Sequence, residues 1–156
     1  MAPKGIPKFQ VPRLWSGVAA LAFLVGTGCM STADTATIGD GQVTLPLPAG
    51  ASHTPLQGID STVGDITGAG FTCRYDLGLY SNPLTDVAGA RSETLTLSGR
   101  PARLISGSDG FEGLFVDRIS QSALGHTKLS IACTAKDSAA ETVREMLRGT
   151  RIIGLP

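Results

Sequence analysis

Gly70-Phe71-Thr72-Cys73-Arg74-Tyr75-Asp76 alternates without a break. Phe71, Cys73 and Tyr75 fall on one face and Thr72, Arg74 and Asp76 on the other, the period-2 pattern of a strand with one buried side. The pattern returns in both directions along the chain. Thr127 to Thr134 aligns Leu129, Ile131 and Cys133, and Glu93 to Ser98 sets Leu95 and Leu97 against Thr94 and Thr96. Ser98-Gly99-Arg100-Pro101 is a turn signal, and Ala102 to Ser106 fits the return strand of a hairpin. Pro101 cannot donate to a ladder, so it belongs at the strand start or on an edge. Gly107-Ser108-Asp109-Gly110 makes a further turn.

Other segments read less sharply. Gln42 to Leu45 and Val63 to Thr67 are short strand candidates, while Leu47 to Gly50 and His53-Thr54-Pro55 read as loop. Leu114 to Ile119 is apolar enough for a strand, yet Leu114, Phe115, Arg118 and Ile119 also fit a helical period. One helix is well marked. Ser138 and Glu141 can form a capping box, and Ala139, Ala140, Val143, Met146 and Leu147 make one apolar stripe. Arg144 and Arg148 lie where cations suit the helix dipole. Gly149 is placed as a C-cap, and Arg151 to Ile153 reads as a last strand. The expected fold is α+β: a two-layer sandwich of an antiparallel sheet of five to seven strands with the C-terminal helix packed on one face.

Residues 1–28 differ from all of this. They carry Lys4, Lys8 and Arg13 and no acid, and Leu14 to Gly28 holds no charge. The stretch ends in Val25-Gly26-Thr27-Gly28-Cys29, a basic start and short apolar run before small residues. It resembles a bacterial lipoprotein signal, which implies cleavage before Cys29 and acylation of that residue. Gly26 stands where such signals usually carry Leu. Two other readings stay open. Ser31-Thr32-Ala33 suits an ordinary signal peptidase, which would release a chain beginning at Asp34. An uncleaved anchor is the third, although fifteen residues make only about 22 Å of helix against a core about 30 Å thick. The organisation read from the sequence is therefore signal peptide 1–28, lipidated Cys29 and flexible tether 29–41, and one globular domain 42–156.

Charge and cysteine content agree with export. The chain has 13 basic and 13 acidic residues, but every acid lies beyond Cys29, where ten Lys and Arg remain. The exported part is near −3, which argues against a nucleic-acid partner. With Cys29 lipidated or removed, Cys73 and Cys133 form an even pair, and two thiols in an oxidising compartment usually join. That bridge would close a loop of about 60 residues and contribute roughly 4 kcal/mol. The competing reading is two buried free thiols.

Beyond the signal, Val43-Thr44-Leu45-Pro46 followed by Pro48-Ala49-Gly50, the meander ending at Lys128-Leu129-Ser130-Ile131, and the closing run from Val143 to Ile152 resemble the PsbP/Mog1-like group of small exported domains. A final helix feeding a short strand is usual there. The aromatic residue that often follows the early Pro is missing. The resemblance implies a binding or adaptor role and no shared active site.

Chemistry-bearing motifs are sparse. Ser106-Gly107-Ser108-Asp109-Gly110 lacks the first Gly of a nucleophile elbow. His53 with Asp60 or Asp65 and a serine would be needed for a triad, but His53 and His126 read as exposed loop residues. Cys73 and Cys133 lack zinc spacing, and Asp109, Glu112 and Asp117 are a scatter of acids rather than a calcium loop. No cofactor or metal is expected. Arg74, Asp76, Tyr80 and Asn82 gather near a turn as a recognition surface. The blander reading has Tyr75 in the core and Asn82 fixing the turn. The expected function is a non-catalytic, membrane-tethered envelope lipoprotein, exported and facing the periplasm or cell exterior, with an envelope protein as partner. The alternatives are a small exported serine hydrolase and a carrier of an apolar ligand.

Overall fold

The structure, a computed structural model, describes residues 34–153. The segment 1–28, expected as a signal, and Cys29, the expected site of acylation, lie outside the described residues. Ten strands and one helix follow in order: β1 Thr35–Ile38, β2 Val43–Pro46, β3 Ser52–Leu56, β4 Thr62–Gly68, β5 Phe71–Gly78, β6 Arg91–Leu97, β7 Arg100–Ser106, β8 Phe111–Ser122, β9 Gly125–Ala135, α1 Asp137–Arg148 and β10 Arg151–Ile152. Seven strands form an antiparallel sheet in the order β3-β4-β5-β9-β8-β7-β6. The α+β class and the C-terminal helix are as expected, and this sheet meets the upper strand count. A second sheet, β1-β2-β10, was not expected.

The centre of the large sheet is the β5–β9 ladder, which runs from Phe71 opposite Ala135 to Gly78 opposite Lys128. Its third pair sets Cys73 against Cys133, and the two sulfurs are bonded, with Cα atoms 3.9 Å apart. Both cysteines are buried, on the face that carries Phe71, Tyr75 and Leu77. That face shares one core with β1 and β2, with Ile152 of β10, and with Ala139, Val143, Met146 and Leu147 of α1. On β4 the alternation reads Gly64-x-Ile66-x-Gly68 against Tyr75, Cys73 and Phe71. A Cβ at Gly64 would run into the Tyr75 phenol, and one at Gly68 into the Phe71 ring. Each glycine is the floor on which an aromatic ring lies.

Three sequence readings are corrected and a fourth is resolved. Thr35–Ile38 is not tether but strand, with Ala36 and Ile38 buried; its alternation was too short to stand out among small residues. His53-Thr54-Pro55 is not loop but the middle of β3. Pro55 is tolerated because β3 is an edge, where a missing N–H goes unused. The helix starts at Asp137 with no side-chain cap. The Lys136 N–H bonds Gly70 O, fixing the chain ahead of the helix, and Glu141 is engaged by Arg144 instead of a capping box. Leu114 to Ile119 is strand, the first of its two readings, and its helical look comes from a bulge in β8 between Val116 and Ser120. It shifts the phase, so Leu114, Val116 and Ile119 all reach one core while Phe115 points the other way.

The opposite face of the sheet has a smaller core of Leu84, Ile105 and Phe115, covered by part of the 79–90 segment. Arg103 donates to Pro83 O at 2.6 Å and stacks over Phe115 at 5.2 Å, pinning that segment down.

The ladder and its bridge are separable by mutation. Cys73→Ala/Cys133→Ala is expected to lose about 3 to 4 kcal/mol of unfolding free energy, read by urea titration without reductant. A variant as stable as the parent would mean that packing alone holds β5 to β9.

Candidate functional site

Where β6 and β7 approach α1, charged side chains replace the apolar core. Register explains this. Arg91 and Glu93 share the helix-facing side of β6 with Leu95, and Ser106 and Glu112 stand opposite each other on β7 and β8. Glu112 also lies opposite Cys133, so its carboxylate starts from the core face and is only 3% exposed. A buried carboxylate needs compensation. Arg144 Nη2 donates to Glu112 Oε1 at 2.6 Å, and Ser106 Oγ donates to Oε2 at 2.6 Å. The bond to Glu112 is also the main reason the Arg144 guanidinium holds its proton more tightly than a free arginine.

The network continues outward along the helix. Arg144 Nη1 reaches Glu141 at 2.9 Å, and Arg148 Nη2 reaches Glu93 at 2.8 Å. Together with Arg91, these side chains line an open groove of about 490 Å³. Among the described residues Arg91 has no ion-pair partner. The arrangement offers one unmatched cation beside a set of satisfied charges, which suits recognition of a carboxylate. The sequence carried a signal for it: extending the β8 strand back to Phe111 places Glu112 on the face of Leu114 and Val116.

The residues singled out from the sequence fall elsewhere. Cys73 and Cys133 form the buried bridge. Arg74 does not pair with Asp76; its Nε and Nη2 hold Asp65 on the next strand at 2.8 and 3.0 Å. That hydrogen-bonded pairing keeps the Asp65 carboxyl below its usual range. Asp76 accepts from Ser81 Oγ at 3.2 Å. Asp76 and Tyr80 help line one small hollow of about 50 Å³, and Tyr80 is 85% exposed. Asn82 Oδ1 accepts from the Leu84 N–H at 2.8 Å and fixes the turn, and Tyr75 is buried, as the blander reading had it. Asp76 and Tyr80 thus meet at one hollow, while Arg74 is engaged by Asp65 and Asn82 by its own turn.

His53 is not an exposed loop residue. It sits half-buried in β3, and its Nε2 lies 2.9 Å from the Tyr75 hydroxyl. Among the described residues no serine hydrogen-bonds to it, and Asp65 points to the other face, held by Arg74. His126 lies in β9 opposite Gln121. Among the described residues no cluster of three or more His, Cys, Asp or Glu could hold a metal ion. Burial lowers the His53 pKa and, more than the nearby Asp65 charge, raises that of Tyr75. No family model, curated protein or solved structure matches the chain.

Two outcomes test these networks. Glu112→Ala leaves Arg144 a third exposed with only Glu141, so its cost is set below that of a fully buried orphan, at about 2 to 3 kcal/mol. Glu112→Gln, which can still bond Ser106, is expected to lose less, and equal losses from the two in denaturant titrations would contradict the role given to the charge. The folded chain disfavours protonated His53, so the unfolded chain binds that proton first. The stability it confers is whole above pH 6.5 and declines as pH falls through 6.5 towards the folded value. Unfolding measured between about pH 7.5 and about pH 5.5 should show that slope in the parent and a flatter one in His53→Gln.

Proposed function

We propose that this chain is a non-catalytic binding or adaptor domain, a two-layer α+β unit held at the cell envelope by lipid on Cys29. The observation that carries the reading is how closely the first described strand follows Cys29. β1 starts six residues past Cys29, and the Leu47 N–H bonds Asp34 O. Residues 30–34 can span about 17 Å at most, so an acylated Cys29 would keep the domain close to the bilayer surface. The buried Cys73–Cys133 bridge fits an oxidising compartment. The groove beside α1, with Arg91 unmatched, supports recognition rather than reaction. The lipoprotein-like signal and the likeness to PsbP/Mog1-like domains point the same way.

The alternatives gain less support. His53 meets a tyrosine instead of a serine. The space between α1 and the sheet is filled by fully buried side chains, among them Leu114, Ile131, Val143 and Leu147, which weighs against an apolar carrier.

Expression of the parent and Cys29→Ser in a bacterial host, followed by fractionation and intact mass, tests the tether. The parent is expected in the membrane fraction, beginning at Cys29 with added acyl mass, and the variant is expected to lose both. A lipid-free chain beginning at Asp34, or an unprocessed chain, would overturn the proposal.

A further inference from the structure

The large sheet has two edges, and they differ. β3 is five residues long and carries Pro55. β6 runs for seven residues, Arg91-Ser92-Glu93-Thr94-Leu95-Thr96-Leu97, with no Pro or Gly. Sheet edges are ordinarily blunted because an open one is a template for another strand. On β6 the charges are confined to the first three residues.

The register tells which groups are free. Thr96 stands opposite Pro101, which has no N–H, so this is a non-hydrogen-bonded pair. The two-residue turn Ser98-Gly99, with φ of 48° and 79°, closes on a hydrogen-bonded Leu97–Arg100 pair, in agreement. Alternation then makes Thr94–Arg103 and Ser92–Ile105 non-hydrogen-bonded as well. The N–H and C=O groups of Ser92, Thr94 and Thr96 therefore point away from β7, and among the described residues β6 has no other strand beside it.

Each face of this edge has its own hollow. On the helix side lies the charged groove with Arg91. On the opposite side Thr94, Pro101, Arg103 and Phe115 line an apolar hollow of about 260 Å³. A strand added to β6 would send successive side chains alternately into these two places.

We propose that β6 is a docking edge for an extended segment of a partner protein in which acidic and apolar residues alternate. The main chain pairs with Ser92, Thr94 and Thr96, the acidic side chain meets Arg91, and the apolar one lies against Phe115 and Pro101. A second copy is the poorer occupant. Full-length antiparallel pairing of β6 with itself about Thr94 sets Arg91 opposite Leu97 and leaves it without a carboxylate. The proposal deepens the binding reading and rests on it.

The test uses the full-length chain in detergent and a fluorescein-labelled peptide of about ten residues alternating Glu with Val or Phe, long enough to cover an edge of this size. Its Lys-for-Glu counterpart is the control, and binding is followed by anisotropy. Thr94→Pro removes an N–H that β7 does not use, so the fold is expected to survive while binding weakens at least tenfold. Should that variant unfold, Arg91→Glu serves alone: it is expected to reverse the preference from the Glu peptide to the Lys peptide. Absence of binding to either peptide, or binding that both variants leave unchanged, would overturn the proposal. So would self-association of the parent that Thr94→Pro abolishes, which would make the occupant a second copy. In each case membrane attachment is read separately through Cys29, so loss of the β6 edge leaves the tethered-domain reading intact.

Discussion

The pairing of β5 with β9 is the constraint from which the rest of the molecule follows. These two central strands share eight paired positions, and the Cys73–Cys133 bond ties them at the third. Their common inward face supplies Phe71, Tyr75, Leu129 and Ile131, around which α1 and the small sheet gather. β4 is shaped to that face as well, since its two glycines make room for the aromatic rings of β5. Register is strongly specified here, because a one-residue slip would turn every inward side chain to the other side.

The same periodicity places a charge where the core meets its margin. Glu112 occupies an inward position and is compensated by a helix arginine and a strand hydroxyl. Networks of this kind add little net stability over apolar packing but tolerate the loss of a partner poorly. The network fixes the approach of α1 to β7 and β8, and so sets the width of the groove beside β6. Charge at this margin thus serves position more than adhesion.

Much of the large sheet was legible in the chain because its strands have one buried face. Phe71 to Asp76, the Glu93–Ser106 hairpin and Thr127 to Thr134 announced themselves through strict alternation. What failed did so for local physical reasons. Pro55 reads as a breaker unless its strand is known to be an edge, and the β8 bulge mixes two phases into a pattern that imitates a helix. β1 is too short to carry a period among small residues, and nothing local shows that the strands read at Gln42–Leu45 and Arg151–Ile153 pair with it in a sheet of their own. The candidate site was hidden for a different reason. Arg91, Glu112 and Arg144 lie far apart in sequence and meet only through the register of three strands and the placement of one helix.

The bridge has a mechanical consequence. A chain fixed at its beginning and gripped on β6 would feel tension whenever partner and membrane separate. The gripped strand lies inside the covalent loop closed 60 residues apart. A pull on β6 would therefore reach Cys73 by two arms, one directly through residues 74–90 and one through residues 98–132 and the disulfide. The direct arm is the shorter, and it would halt the parting of Cys73 from Arg91 at about 60 Å, before the longer arm could be drawn straight. The bond makes a fork of the chain at the ladder, so that β5 and β9 would carry such a load side by side.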